Sequence, residues 1–251
     1  MVNVVRVVSL ALVVGVAGAS VPCSAAAQIQ IPDKFENLQV LPKDISKDTL
    51  TAIMRGFAGA LGVRCGYCHV EGAGPGQFQF ASDDKDHKKA ARLMLRMVQN
   101  INGQFLASIP NRDDPPTNVN CMTCHRGMSK PTTIETVLMS TTTRRGVDSA
   151  IARYRSLRND MASGRFNFGE QPVSDVAERL TSQGKYDDAI KLLQMNQEFY
   201  PNSVNIDYQL AEAYIAKGDR DAGIARLRAI LTKNPDDRRA RQRLQQLGVQ
   251  P

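Results

Sequence analysis

Two five-residue segments, Cys65-Gly66-Tyr67-Cys68-His69 and Cys121-Met122-Thr123-Cys124-His125, constrain this chain more than any other feature. Each has the pattern C-x-x-C-H. On a helical turn, residues three apart share a face, so both thiols of a pair can bond the two vinyl groups on one edge of a porphyrin. The histidine that follows then lies beneath the ring and offers its imidazole to the iron. The pattern is the attachment signature for covalent haem. Two C-x-x-C pairs also suit a single Cys₄ zinc centre, and a redox dithiol is a third reading. The histidine after both pairs and their separation of 56 residues argue against zinc. A dithiol has no need of histidine twice. Two covalently attached haem c groups are therefore expected, on Cys65 and Cys68 and on Cys121 and Cys124, with His69 and His125 as proximal ligands.

The first residues stand apart. Arg6 is the only charge before residue 33, Val7 to Ala19 form an apolar run, and Ala25-Ala26-Ala27 follows. A basic start, apolar middle and small-residue end is the order of a secretory signal, here residues 1–27 with cleavage near Gln28. A retained anchor helix is the rival reading, for which the run is short. Cys23 offers another, a lipid-modified N-terminus, but Val21-Pro22 puts a rigid residue where a small flexible one is wanted.

The formal net charge is +7, and it is unevenly spread. Residues 28–169 carry nineteen basic and thirteen acidic side chains, whereas twelve of each follow from Glu170 onward. The basic excess thus sits with the cysteine pairs, where haem propionates would offset much of it. The Lys and Arg are dispersed and no basic–aromatic run interleaves, so nucleic acid is not an expected partner.

Ser46 caps a predicted helix whose apolar positions are Leu50, Ile53, Met54, Phe57 and Leu61, ending at Gly62. A second is predicted from about Asp84 to Ser108, with Ala90, Met94, Met97, Val98, Ile101 and Phe105 inward. Pro110 and Pro115-Pro116 end it before Cys121. Each attachment segment is thus preceded by a helix and a turn. Such a helix can lie along a haem plane and present a thioether to the far side of the iron. On periodicity alone, Met54 and Met94 suit either that role or plain core filling. The third histidine, His87, sits among Asp and Lys and reads as part of a solvated helix start.

Several stretches together resemble the photosynthetic reaction centre cytochrome c subunit family. They are Leu61-Gly62-Val63-Arg64 running into the first attachment segment, Ala91-Arg92-Leu93-Met94-Leu95-Arg96-Met97, Ile101-Asn102, and the second attachment segment with Arg126-Gly127. The resemblance covers roughly residues 40–132. It implies that the helix before each haem donates a methionine ligand, Met54 to the first iron and Met94 to the second, with Met97 as the alternative there. Two departures stand out. Well-known members carry four haems in two such halves, and this chain has one half. A histidine that in those members ligates a haem of the other half corresponds here to about Ser108.

From residue 170 the sequence repeats with a period of 34. Ala177 matches Ala211, Gly184 matches Gly218, Pro201 matches Pro235, Leu180 matches Tyr214, and Leu193 matches Leu227. The period, the small residues and the closing proline form the tetratricopeptide pattern. A last helix, about Asp237 to Leu247, would cap the stack, and Val147, Ile151, Tyr154, Leu157 and Met161 mark an amphipathic helix leading into it.

The expected fold class is all-α: a signal at 1–27, a two-haem cytochrome unit at 28–135, a linker and lead-in helix at 136–169, and tetratricopeptide-like repeats at 170–251. The Thr- and Ser-rich stretch 132–146 is the expected boundary. The expected function is that of an exported electron carrier, not an enzyme, on the periplasmic side of a membrane. Its redox partners would be a reaction centre or a respiratory complex, contacted in part through the repeats. Two rivals are a two-haem peroxidase-like enzyme, for which only His87 is spare, and a structural subunit of a polymeric cytochrome wire.

Overall fold

In the computed structural model, which describes residues 29–250, the chain is all-α apart from one short hairpin. The signal-like segment with Cys23 lies outside the described residues. Helix α1, Lys47–Leu61, begins where the Ser46 hydroxyl accepts a hydrogen bond from the Thr49 amide at 3.2 Å. It ends at Gly62, whose φ of 64° is a left-handed conformation that glycine adopts without a Cβ penalty. The first attachment segment follows as a single 3₁₀ turn, Cys65–Tyr67. Strands β1, Val70–Glu71, and β2, Phe78–Gln79, then pair antiparallel, with Val70 opposite Gln79. Helix α2, Asp86–Asn100, runs on into a π-helical turn, Ile101–Leu106, marked by the Ala107 amide reaching the Asn102 carbonyl at 3.2 Å. The second attachment segment forms a short helix, α3, Cys121–His125.

Helices α4, Ile134–Arg145, and α5, Val147–Arg158, form a hairpin through Gly146. Helices α6, Glu170–Ser182, and α7, Tyr186–Phe199, recur as α8, Val204–Lys217, and α9, Arg220–Lys233. Helix α10, Arg238–Gln246, closes the stack. The 34-residue period is thus kept by the helix starts themselves. Ala177 and Ala211 are wholly buried at helix crossings. A Cβ at Gly223 would lie 2.5 Å from Ile215 and 2.9 Å from the Ala211 carbonyl oxygen, so α8 and α9 meet too closely there for any side chain.

The distribution of buried apolar side chains is lopsided. Among the described residues before 134, the only buried apolar side chains are Leu50 and Ala60. From Ile134 onward a continuous core runs from α4 through α8, and a second joins α8, α9 and α10. The Thr- and Ser-rich stretch 132–146 is therefore no linker. It is helix α4, with Ile134 and Leu138 fully buried, and the expected division at 135/136 falls inside it. The hydroxyls of Ser140 and Thr141 donate back to the Val137 carbonyl, at 3.1 and 2.7 Å. Such back-bonding satisfies polar side chains within a helix and lets a polar composition conceal an amphipathic element. No helix among the described residues is long and apolar enough to cross a membrane.

Candidate haem-binding site

The first attachment turn is held from several sides. The amides of Cys68 and His69 both bond the Cys65 carbonyl, at 3.2 and 3.0 Å, which closes the loop bearing the two thiols. Lys85 donates to the Gly66 carbonyl, and His87 stacks on Tyr67 with ring centroids 4.0 Å apart. His87 is exposed, as a solvated helix start requires, yet it also covers the attachment turn. The His69 ring meets Phe80 edge-on at 4.9 Å, and its Nδ1 is buried without a protein partner. Burial, followed by the positive charges of Lys88, Lys85 and Arg92, pulls the His69 pKa down to about 4. The ring is neutral at neutral pH, the form in which imidazole ligates a metal.

The second turn is built differently. Asn120 caps α3 by accepting from the Thr123 amide at 3.2 Å, while Thr123 Oγ1 accepts from the Asn120 amide at 3.0 Å. After His125 the chain turns sharply through Arg126 (φ 48°) and Gly127 (φ 79°). The turn brings the Met128 carbonyl within 2.8 Å of His125 Nδ1. A carbonyl oxygen only accepts, so Nδ1 carries a proton, and Nε2 is the nitrogen left to meet a metal. The same turn locks onto α1, because the Gly127 amide donates to the Ala60 carbonyl at 2.8 Å. Gly62 approaches so closely that a Cβ there would stand 2.1 Å from the Gly127 oxygen.

Met54 is half-buried on α1. Of the positions on the second predicted helix expected to turn inward, Val98 and Ile101 are half-buried, but Met94 is exposed at 40 %, Met97 at 42 % and Phe105, beyond α2, at 67 %, and the neighbouring Leu93 is exposed at 60 %. Helix α2 packs on protein through its charged face. Lys88 is buried, donating to the carbonyls of Phe80 and Ser82 at 2.8 and 2.6 Å and pairing with Asp83 at 3.0 Å. Arg92 reaches Asp83 at 2.9 Å and the Asn37 carbonyl at 3.2 Å.

These residues fit haem. Exposed apolar side chains on α2 that include two thioethers, with little buried apolar core around them, match a large apolar ring with an iron at its centre. Among the described residues Cys65, Cys68, Cys121 and Cys124 form no disulfide, and burial raises the pKa of Cys68 and Cys121. No three His, Cys, Asp or Glu side chains converge as an ion site among the described residues, so the two pairs do not form the shared Cys₄ centre of the zinc reading.

Asp83 yields a prediction about pH. Its carboxyl is held far below the usual carboxylate range, first by Arg92 and then by its other hydrogen-bond partners and Lys88. A depressed folded-state pKa stabilises the fold above the unfolded-state value of about 3.9 and loses that effect as pH falls towards the folded-state value. Asp83→Asn is thus expected to lower the unfolding midpoint in denaturant at pH 7. The gap from the wild-type protein should shrink steadily below about pH 4. An equal gap at pH 7 and pH 2.5 would assign the loss to packing.

Sequence reading missed the Asn120 cap and the turn at Arg126-Gly127. Both had signals, an Asn immediately before the motif and a Gly two residues after it. A helical frame carrying two such attachment turns defines a c-type cytochrome, a protein that holds haem c through thioether bonds. The sequence model described as the photosynthetic reaction centre cytochrome C subunit matches residues 7–202, and the chain belongs to that family. A tetratricopeptide repeat model matches residues 180–247. Cytochrome c-554 of Chloroflexus aurantiacus is 39 % identical over 99 residues, covering 39 % of this chain and 22 % of that protein. The photosynthetic reaction center cytochrome c subunit of Roseobacter denitrificans is 34 % identical over 104 residues, 41 % of this chain and 26 % of its own length. The subunit of the same name from Rubrivivax gelatinosus is 34 % identical over 87 residues, 32 % of this chain and 23 % of its own. The chain therefore matches about a quarter of the length of each relative.

Proposed function

We propose that this chain carries electrons by way of two haem c groups, between redox partners on the periplasmic side of a membrane. Cys65 and Cys68 hold the first group, and Cys121 and Cys124 the second. His69 and Met54 ligate the first iron, His125 and Met94 the second. When bound, the group supplies a reversible one-electron iron couple. A histidine and a thioether on each iron leave no position open to substrate, which favours a carrier over a peroxidase. Thioether is a soft ligand and favours the reduced iron. The observation that carries this reading is the bare Leu93–Met94–Met97–Phe105 face.

The boundary between the haem-bearing part and the helical stack lies just before Thr133, whose hydroxyl caps α4. The stack, with no metal-ligating cluster among its described residues, serves as a surface for protein contact. Family membership supports a membrane-bound photosynthetic complex as the partner that is re-reduced. The N-terminal sequence supports export.

Extraction with acidic organic solvent should leave two haems on each polypeptide. Met54→Ala should let the reduced protein bind one carbon monoxide per chain and should lower one of two midpoint potentials. His87→Ala should do neither. Recovery of fewer haems, or an iron opened by His87→Ala, would overturn the assignment.

A further inference from the structure

Asn102 has a role that neither attachment motif accounts for. It is the second residue of the π-helical turn that prolongs α2, about two helical turns beyond Met94. Its half-buried side chain makes a closed pair of hydrogen bonds with one residue of a distant segment. Asn102 Nδ2 donates to the Val119 carbonyl at 2.8 Å, and the Val119 amide donates to Asn102 Oδ1 at 2.9 Å. The amide side chain thus acts as a backbone partner would, taking one donor and one acceptor together and fixing a single register. Val119 immediately precedes Asn120, the residue that caps α3 and so orients Cys121 to His125.

The π turn explains how this contact is made. A π turn inserts a residue into the helical ladder and re-aims the side chains around it. Here the π bond from the Ala107 amide lands on the carbonyl of Asn102 itself. One residue therefore anchors the irregular turn through its backbone and the attachment segment through its side chain.

We propose that Asn102 is a positioning residue that holds the Met94 face of α2 at the correct distance from His125, so that both can reach the same iron. This rests on the ligand assignment proposed above. The first haem site, with Met54 on α1 and His69 before the hairpin, lies outside the tether. Loss of Asn102 therefore loosens one iron and spares the other.

The test is carbon monoxide uptake by the reduced, haem-loaded protein, read as ligand bound per chain. Wild-type protein should bind none and Asn102→Leu should bind one. Asn102→Leu combined with Met54→Ala should bind two. Combined with Met94→Ala it should still bind one, because both changes act on the same iron and do not add. Asn102→Asp keeps the acceptor for the Val119 amide but loses the donor, so it should bind carbon monoxide more weakly than Asn102→Leu. It also serves if the leucine variant does not fold. Opening by Met94→Ala but not by either Asn102 variant overturns the tether alone. Opening by Asn102→Leu but not by Met94→Ala overturns the link to Met94, and the ligand assignment with it. Two molecules bound by the Asn102→Leu, Met94→Ala double variant would place the effect at the first haem and refute the proposal.

Discussion

Produced without covalent haem, the chain is expected to fold only in part: residues 134–250 cooperatively, and residues 29–133 not at all. Ordering a residue's backbone costs about 1–2 kcal/mol, and burial of apolar surface at roughly 25 cal/mol per Å² must offset it. From Ile134 to Leu244 that burial is extensive, with Leu138, Tyr154, Leu180, Leu192, Leu210 and Leu227 sealed from solvent. Before Ile134 the only buried apolar side chains among the described residues are Leu50 and Ala60, and Leu93, Met94 and Met97 on α2 are exposed. Covalent haem supplies the missing apolar contacts, as cofactors do in other sparsely cored domains. Limited proteolysis of the haem-free chain should leave a resistant fragment starting within a few residues of Thr133. The haem-loaded chain should resist throughout. Protected backbone amides within 47–61 or 86–100 of the haem-free chain would refute this.

Gly62→Ala is expected to be among the most damaging single changes in the haem-bearing part. Two costs fall on one atom. The left-handed backbone at Gly62 alone charges a residue with a Cβ about 1–2 kcal/mol. The Cβ would also lie 2.1 Å from a backbone oxygen, that of Gly127, which no rotamer change relieves. The end of α1 must then retreat and give up the Gly127–Ala60 hydrogen bond. Two controls separate these costs. Gly127→Ala carries the conformational penalty at φ 79° but meets only the Arg165 side chain at 3.5 Å, so it should be milder. Gly56→Ala, mid-helix with nothing within 4 Å, should stabilise by about 0.5–1 kcal/mol. Denaturant unfolding of the haem-loaded variants ranks them. A Gly62→Ala no worse than Gly127→Ala would show that the close approach is relieved cheaply.

What could be read from the residues alone was what is local. Ser46 and Gly62 bracket α1 as expected, and the 34-residue period reappears in the starts of α6 through α10. Periodicity identified the apolar face of α2 but not what would cover it. The helix rests on protein through Lys88 and Arg92, because Asp83 and the Phe80 and Ser82 carbonyls satisfy those charges. The same helix, predicted to run unbroken to Ser108, becomes a π turn after Asn100, a change that hydrophobic spacing does not encode. The Thr-rich helix α4 reads as a boundary because its composition conceals four buried or half-buried apolar positions, Ile134, Val137, Leu138 and Met139. The contacts of Gly62 with Gly127 and of Asn102 with Val119 join residues far apart in sequence, and single residues carry no sign of such partners.

The segment between the second attachment turn and the helical stack is short, residues 126–133. At about 3.3–3.6 Å per residue it is a leash of less than about 30 Å even at full stretch. A protein that grips the stack would thus be tied to the second iron, and its search for the electron would become a local one. Short tethers of this kind confer effective concentrations in the millimolar range. A weak, quickly released grip would then suffice for efficient transfer, and rapid release lets one carrier serve many partners in turn.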